Sequence, residues 1–247
     1  MLHTIFRYSR ITSTNDIART MAENGASEGT VVVAETQSAG RGRPGKDWVS
    51  QPGTGLYLSV VLHPKAPLKD FWQMAFVMAV SAADSIREAT GLNAELKWPN
   101  DVLINGRKVC GILIETLKGD EKRHAAVAAG IGVNVNNTDF PAEIARKATS
   151  ISKELGATIE ISNIEGSLLA SINKWYTVYS DEGFTPIISR WRELDCTAGR
   201  NISVDTPDGL LEGTALGVDD NGSLVIERPD GTRVSIHTGE TIWRADG

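Results

Sequence analysis

The spacing of apolar residues changes period several times along the chain, and each change marks an element. In STNDIARTMAENG, Ile17 and Met21 lie one helical turn apart behind Ser13 or Thr14, either of which suits a helix N-cap, and Gly25 provides a stop. The pattern predicts a short amphipathic helix. TVVVAET (30–36) reads as a buried strand from its β-branched run, and GLYLSVVLH (55–63) as a second strand with alternation. From Asp70 to Thr90, Phe71, Met74, Phe76, Val77, Met78, Val80, Ala83 and Ile86 recur at helical spacing and Gly91 follows, which predicts a long, mostly buried helix. AELKWP comes next. DVLI and KVCGILIETL are separated by Asn105-Gly106, a dipeptide that favours a type I′ hairpin turn.

AAVAAGIGVNVN (125–136) predicts a further strand, in which small residues let other backbone or a ligand come close. The chain from there to Leu194 reads as helical, with Trp175, Tyr176, Tyr179, Ile187, Ile188 and Trp191 as packing residues. Beyond Asp195, NISV, LLEGTALGV, SLVIER, RVSIH and TIWR are short alternating segments separated by Pro-Asp-Gly and Asp-Asn-Gly turns. Five strands in so short a stretch predict a small β-barrel, with a boundary near Thr197.

Composition narrows the class. With 247 residues the chain has room for one large domain and a small appendage, and its 41% hydrophobic and 23% charged content is ordinary globular usage. No apolar run approaches the ~20 residues of a membrane-spanning helix. MLHTIFRYSRITSTN has no secretory h-region, because polar residues interrupt it at once, so a soluble cytoplasmic protein is expected. Cys110 and Cys196 form no CxxC pair and signal neither a disulfide framework nor a zinc site. The formal net charge of −6 argues against a general nucleic-acid binder, so the cations that matter act locally.

The candidate chemistry starts in GRGRPGKD (40–47), which fits both GxxxxGK and GxGxxG. A phosphate loop needs Ser or Thr after its Lys and a helix behind it; here Lys46 precedes Asp47, and Pro52 and two glycines come after. A dinucleotide fingerprint also needs a helix, and the next element here is a strand. Neither pattern survives its context. The segment is then a strand-to-strand loop holding Arg41, Arg43 and Lys46 among three glycines and ending at Trp48. It can be a mobile cationic lid over an anionic ligand or a solvated basic loop, and this segment alone leaves both open. Two further segments bring cations or glycines to strand ends: KWPND (97–101), and Lys108 and Gly111 followed by Gly130, Gly132 and Asn134.

In order and with plausible intervals, ITSTN, QSAGRGRPGKDW, KWPND, RKVCGILIE and AAGIGVNVN resemble the catalytic domain of biotin protein ligases, and RNISV through GETIWR is similar to that family's C-terminal SH3-like barrel. The resemblance covers nearly the whole chain. It implies an α+β fold: a mixed β-sheet with helices, like class II synthetases and biotin-lipoate ligases, over residues 1–196, plus a small SH3-like β-barrel over 197–247. It implies adenylation of biotin by ATP to biotinyl-5′-AMP, assisted by Mg²⁺, and transfer to a lysine of the biotin carboxyl carrier domain of biotin-dependent carboxylases.

Residue by residue, the resemblance assigns biotin contacts to Ser13, Thr14, Asn15, Gln37, Arg41, Gly42, Arg43 and Lys97. Lys97, with Arg43, offsets the repulsion between carboxylate and α-phosphate. Arg41, Lys46, Trp48, Asn100, Asp101, Lys108, Asn134 and Arg244 are implied on the nucleotide side, and the backbones of Gly111 and Gly130 along the biotin pocket. No metal ligand is assigned, the Mg²⁺ arriving with ATP. Some family members carry an N-terminal DNA-binding unit; the chain begins almost at the ligand-binding helix and is acidic, so a ligase without DNA binding is expected. Related ligases often dimerise through their sheets, so the resemblance is compatible with a homodimer, while the sequence itself does not give the oligomeric state.

Two alternatives differ in substrate or in kind. A lipoate ligase or octanoyl transferase would share the architecture, but Gln37, GRGRPG and the C-terminal barrel favour biotin. A non-catalytic biotin-binding protein would not need Lys97 and Lys108. The family loop commonly reads GRGRRGRxW, whereas here Pro44 and Lys46 stand where Arg is usual. Pro removes an amide, and Lys lacks the planar bidentate fork of Arg. The adenylate is therefore expected to escape more readily than from an all-arginine loop, measured as its release rate; equal or slower release rejects this.

Overall fold

The computed structural model describes residues 4–43, 46–119, 125–206 and 209–243. Its larger unit is a seven-stranded mixed sheet in the order β1-β2-β3-β7-β6-β5-β4. The strands are β1 (Thr4–Ile11), β2 (Thr30–Gln37), β3 (Gly55–Leu62), β4 (Ala94–Lys97), β5 (Asp101–Ile104), β6 (Arg107–Leu117) and β7 (Ala126–Asn134). Among these strands only the β1–β2 pair is parallel.

Strand alternation sends neighbouring side chains to opposite faces. Val31, Val33, Leu58, Val60, Ala129, Ile131 and Val133 face the main core, which α2 (Gln73–Thr90), α4 (Ile161–Glu182) and α5 (Thr185–Leu194) cover. Val32, Val61, Ala126 and Ala128 face the other way, onto Ala18 and Ala22 of α1 (Thr14–Glu23). Helix α1 covers only part of that face. The rest lies open beside it, and there the glycines and polar residues of the central strands are displayed.

The predicted elements recur with small shifts in their ends. Asn105 and Gly106 both take positive φ (50° and 74°), as a type I′ turn requires, and Gly91 takes φ 72° at the end of α2. Two features depart from expectation. Strand β1 gave no clear signal because it is an edge strand exposed along most of its length, so no buried side imposes alternation. Residues 137–150, expected to be helical, form an irregular loop ahead of the short α3 (Ile151–Leu155). Pro141 disfavours helical geometry at Phe140. The loop backbone pairs with β6 instead, through Lys108 N to Lys147 O (2.7 Å) and Thr149 N to Lys108 O (2.9 Å).

The C-terminal residues form a second, antiparallel sheet in the order β11-β10-β9-β8-β12, made from β8 (Asn201–Thr206), β9 (Gly209–Val218), β10 (Leu224–Glu227), β11 (Arg233–Ile236) and β12 (Glu240–Trp243). Trp98 joins it to the first. This side chain is 2% exposed. Its Nε1 donates to Gly222 O (3.0 Å), its backbone N to Thr197 Oγ1 (3.3 Å), and its carbonyl accepts from Thr241 Oγ1 (2.9 Å). Lys97 is thereby fixed between the sheets. Among the described residues no helix is long and apolar enough to cross a membrane.

An aromatic cluster ties the helices together, with the Trp191 ring 4.4 Å from that of Phe76 and no exposed surface. Removing a buried aromatic ring takes away its transfer free energy and leaves a cavity. Trp191→Ala is expected to lower stability by about 3–5 kcal/mol, measured by denaturant unfolding.

Candidate active site

The open part of the sheet floors a cavity of about 710 Å³, within the range of small-molecule sites. It brings together Ser13, Thr14, Asn15, Gln37, Arg41, Gly42, Arg43, Lys46, Trp48, Lys97, Asn100, Asp101, Lys108 and Asn134, which come from widely separated stretches of chain. Arg244, and Pro44 in the loop, fall outside the described residues.

One wall is a buried polar shelf at the start of α1. Ser13 and Thr14 invite a capping role, but the Ser13 side chain makes no capping hydrogen bond. Thr14 donates to Gln37 Oε1 from its backbone N (2.8 Å) and its hydroxyl (3.2 Å). Gln37 Nε2 in turn donates to Ser50 Oγ (3.0 Å). Asn15 donates from Nδ2 to Glu115 Oε2 (2.8 Å). The Ser59 hydroxyl lies 2.5 Å from Asn15 Oδ1 and 2.8 Å from Thr14 Oγ1; with one proton, it serves one acceptor at a time. A shelf wired in this way holds its donors and acceptors in fixed positions before a ligand arrives.

The floor is bare backbone. Gly111 and Gly132 are direct cross-strand partners, and Trp48 packs over both. A Cβ at Gly132 would lie 2.5 Å from Trp48 Cε2, and one at Gly111 would lie 2.9 Å from Trp48 Cζ3. A Cβ at Gly130 would collide with the Asn15 amide. Lys108 Nζ lies 5.5 Å from the centre of the Trp48 ring and pairs with Asp101 (2.6 Å). Among the described residues nothing accepts from the buried Trp48 Nε1.

The roof is the glycine loop, a strand-to-strand connection as its context predicts. Arg41 and Asp47 bridge its base, with Gly42 N on Lys46 O (2.8 Å) and Trp48 N on Gly40 O (2.9 Å). Arg41 is held by Asp16 (2.5 Å) and Glu115 (2.9 Å) at the root of the loop. Arg43 NH1 donates to Gly239 O (2.6 Å), and Lys46 lies 3.4 Å from Glu240. The loop thus reaches across to the second sheet.

Lys97 Nζ donates to Thr241 O (2.8 Å) and lies 5.2 Å from the centre of the Trp243 ring. Burial lowers its pKa, opposed by the charges of Asp101 and Glu240 and assisted by that of Lys108. Two other polar residues of the cavity lining are also hydrogen-bonded to backbone carbonyls. Asn100 Nδ2 donates to Ile112 O (2.6 Å), and Asn134 Nδ2 to Thr149 O (3.0 Å). Burial pushes the Cys110 thiol up and the Cys196 thiol up to about 12, so neither is a thiolate at neutral pH.

Sequence reasoning missed Ser59, Glu115, Thr241 and Trp243. Ser59 had a signal, a lone hydroxyl within the apolar GLYLSVVL. Thr241 acts through its backbone carbonyl, which no side-chain pattern can reveal.

Comparison with known proteins agrees across the chain. Residues 8–134 match the biotin/lipoate A/B protein ligase family, and residues 197–242 match the biotin protein ligase C-terminal domain. The chain is 41% identical over 225 residues to the bifunctional ligase/repressor BirA of Bacillus subtilis, covering 90% of this chain and 69% of that protein. It is 35% identical over 231 residues to the biotin–acetyl-CoA-carboxylase ligase of Paracoccus denitrificans, covering 92% and 95%. The structure of biotin protein ligase from Aquifex aeolicus in complex with biotin and ATP superposes with a TM-score of 0.84 at 29% identity, covering 98% of each chain.

Gly132→Ala is expected to unseat Trp48. Acrylamide quenching of tryptophan fluorescence should increase, and that increase should vanish in a Trp48→Phe background.

Proposed function

This chain belongs to the biotin/lipoate A/B protein ligase family, and from that premise we propose how its cavity performs ATP-dependent ligation of biotin to protein. In the first step the biotin carboxylate attacks the α-phosphate of ATP, giving biotinyl-5′-AMP and releasing pyrophosphate. In the second, the ε-amine of a carrier lysine attacks the acyl carbon and AMP leaves. The carrier is the biotin carboxyl carrier domain of a biotin-dependent carboxylase.

The observation that carries this assignment is the position of Lys97. Two anions must meet in the first step, so a cation is needed at their meeting point. The Lys97 ammonium has three donors and gives one to Thr241 O. The other two remain for the biotin carboxylate and the α-phosphate. The shelf of Ser13, Thr14, Asn15 and Gln37 suits the ureido ring, where an unmatched buried polar group costs about 1–3 kcal/mol. Ser59 and Glu115 hold the shelf in register. Arg43 and Lys46 approach from the roof, and Trp48, beside Lys108, offers an aromatic face to the nucleotide base.

Among the described residues no three His, Cys, Asp or Glu side chains converge as a metal cage. That fits Mg²⁺ carried by ATP, since this ion keeps water and phosphate ligands and takes only one or two carboxylates. We assign that contact to Asp101, on the cavity wall beside Lys108, which would hold the ion together with phosphate oxygens and water. When bound, the ion neutralises charge on the triphosphate. Because water would hydrolyse the mixed anhydride, closure of the loop over it protects the intermediate. We assign the catalytic part to residues 1–196 and the smaller domain to 197–247, and place the enzyme in the cytoplasm with its carrier. The C-terminal domain match and the two named relatives favour biotin over lipoate.

Incubation with ATP, labelled biotin and apo carrier domain tests the assignment. Biotin-dependent pyrophosphate release and labelled carrier are expected, and their absence with competent carrier rejects it. Lys97→Ala is expected to slow adenylate formation by about 10²- to 10³-fold while weakened biotin binding persists.

A further inference from the structure

The second domain places an aromatic ring against the proposed catalytic lysine. Trp243, in β12, lines the cavity. Two cations lie over its ring, the Lys97 ammonium at 5.2 Å from the centroid and the Arg200 guanidinium at 4.0 Å. Arg200 is itself fixed, its Nε donating to Cys196 O (2.8 Å). The hairpin turn at Gly106 backs the ring edge, where even a Cβ would come within 3.5 Å of Cζ3. Pairing of Trp243 with Ile202 sets its backbone. The ring is therefore held on several sides.

We propose that Trp243 is a positioning residue for adenylation, its indole face and the neighbouring Thr241 carbonyl together holding the Lys97 ammonium where carboxylate and α-phosphate meet. A lysine side chain has four rotatable bonds, and a single hydrogen bond leaves its stem free to swing. An aromatic face attracts the cation without consuming a donor, so two N–H groups stay free for the reacting anions. Asp101, Glu240 and Lys108 also act on this ammonium electrostatically. None of them holds the ammonium through a ring face, as Trp243 does. The inference rests on the role given to Lys97 above.

The test compares Trp243→Leu and Trp243→Phe in the full chain, measuring adenylate formation at saturating ATP and biotin, the KM for ATP, and biotin affinity. Trp243→Leu should slow adenylate formation about tenfold, with biotin affinity and the KM for ATP each within about threefold of wild type. Trp243→Phe, which keeps a π face, should restore most of the rate. An unchanged rate in the leucine variant overturns the proposal. So does a loss confined to the KM for ATP, which would make the ring a nucleotide wall, or a phenylalanine variant as slow as leucine. Should Trp243→Leu unfold, Trp243→Phe and Trp243→Tyr against wild type decide it: both near wild type support the π face, and both as slow as Lys97→Ala overturn it. Failure of the wild-type enzyme to form adenylate would instead reject the ligase assignment.

Discussion

A cation withdrawn from bulk water has to be met by partners, and this requirement shapes the join between the two sheets. Lys97 ends β4 at the place where Trp98 plugs into the second domain. Trp98 is the anchor and Lys97 its neighbour, so the contact that joins the domains also fixes the lysine. Thr241 does both jobs. Its hydroxyl binds the Trp98 carbonyl and its own carbonyl takes the Lys97 ammonium. Neither domain alone contains the complete environment of this side chain.

The same rule holds for the other cations around the cavity. Arg41 has Asp16 and Glu115, Arg43 has Gly239 O, Lys46 has Glu240 and Lys108 has Asp101. Each of these cations already has a partner before any substrate enters. An incoming phosphate or carboxylate therefore exchanges one set of partners for another, and its net gain is the difference between them. The exposed pairs, such as Lys46 with Glu240, exchange at small cost. Arg41, shared between two carboxylates, is the costly one to move, which makes it a fixed root for the loop rather than part of its travelling tip.

Much of this was legible in the sequence. β-branched and apolar runs located the central strands, which are buried on both faces, while alternation and turn residues located the Asn105-Gly106 hairpin and the five C-terminal strands. The glycine loop was separable from two look-alike motifs because a strand comes after it. Residues scattered from Ser13 to Asn134 converge on one cavity, as their order in motifs suggested. Strand β1 and residues 137–150 were not legible, since an exposed edge and a loop held by backbone contacts leave no periodic trace. Nor was the contact of Trp243 with Lys97, which depends on how two domains dock and has no local pattern.

The glycines of β6 and β7 form the slot by leaving side chains out. Enzyme redesign commonly trims a bulky residue to admit a larger substrate analogue. Here the trimming is already complete, and the adjustable direction is the opposite one. Adding a single methyl group to the floor runs first into Trp48, at Gly111 or Gly132, or into the Asn15 amide, at Gly130, and so moves the residues that line the cavity. The floor is thus a seat cut to the shape of its neighbours, and its contour reaches any ligand through Trp48 and Asn15.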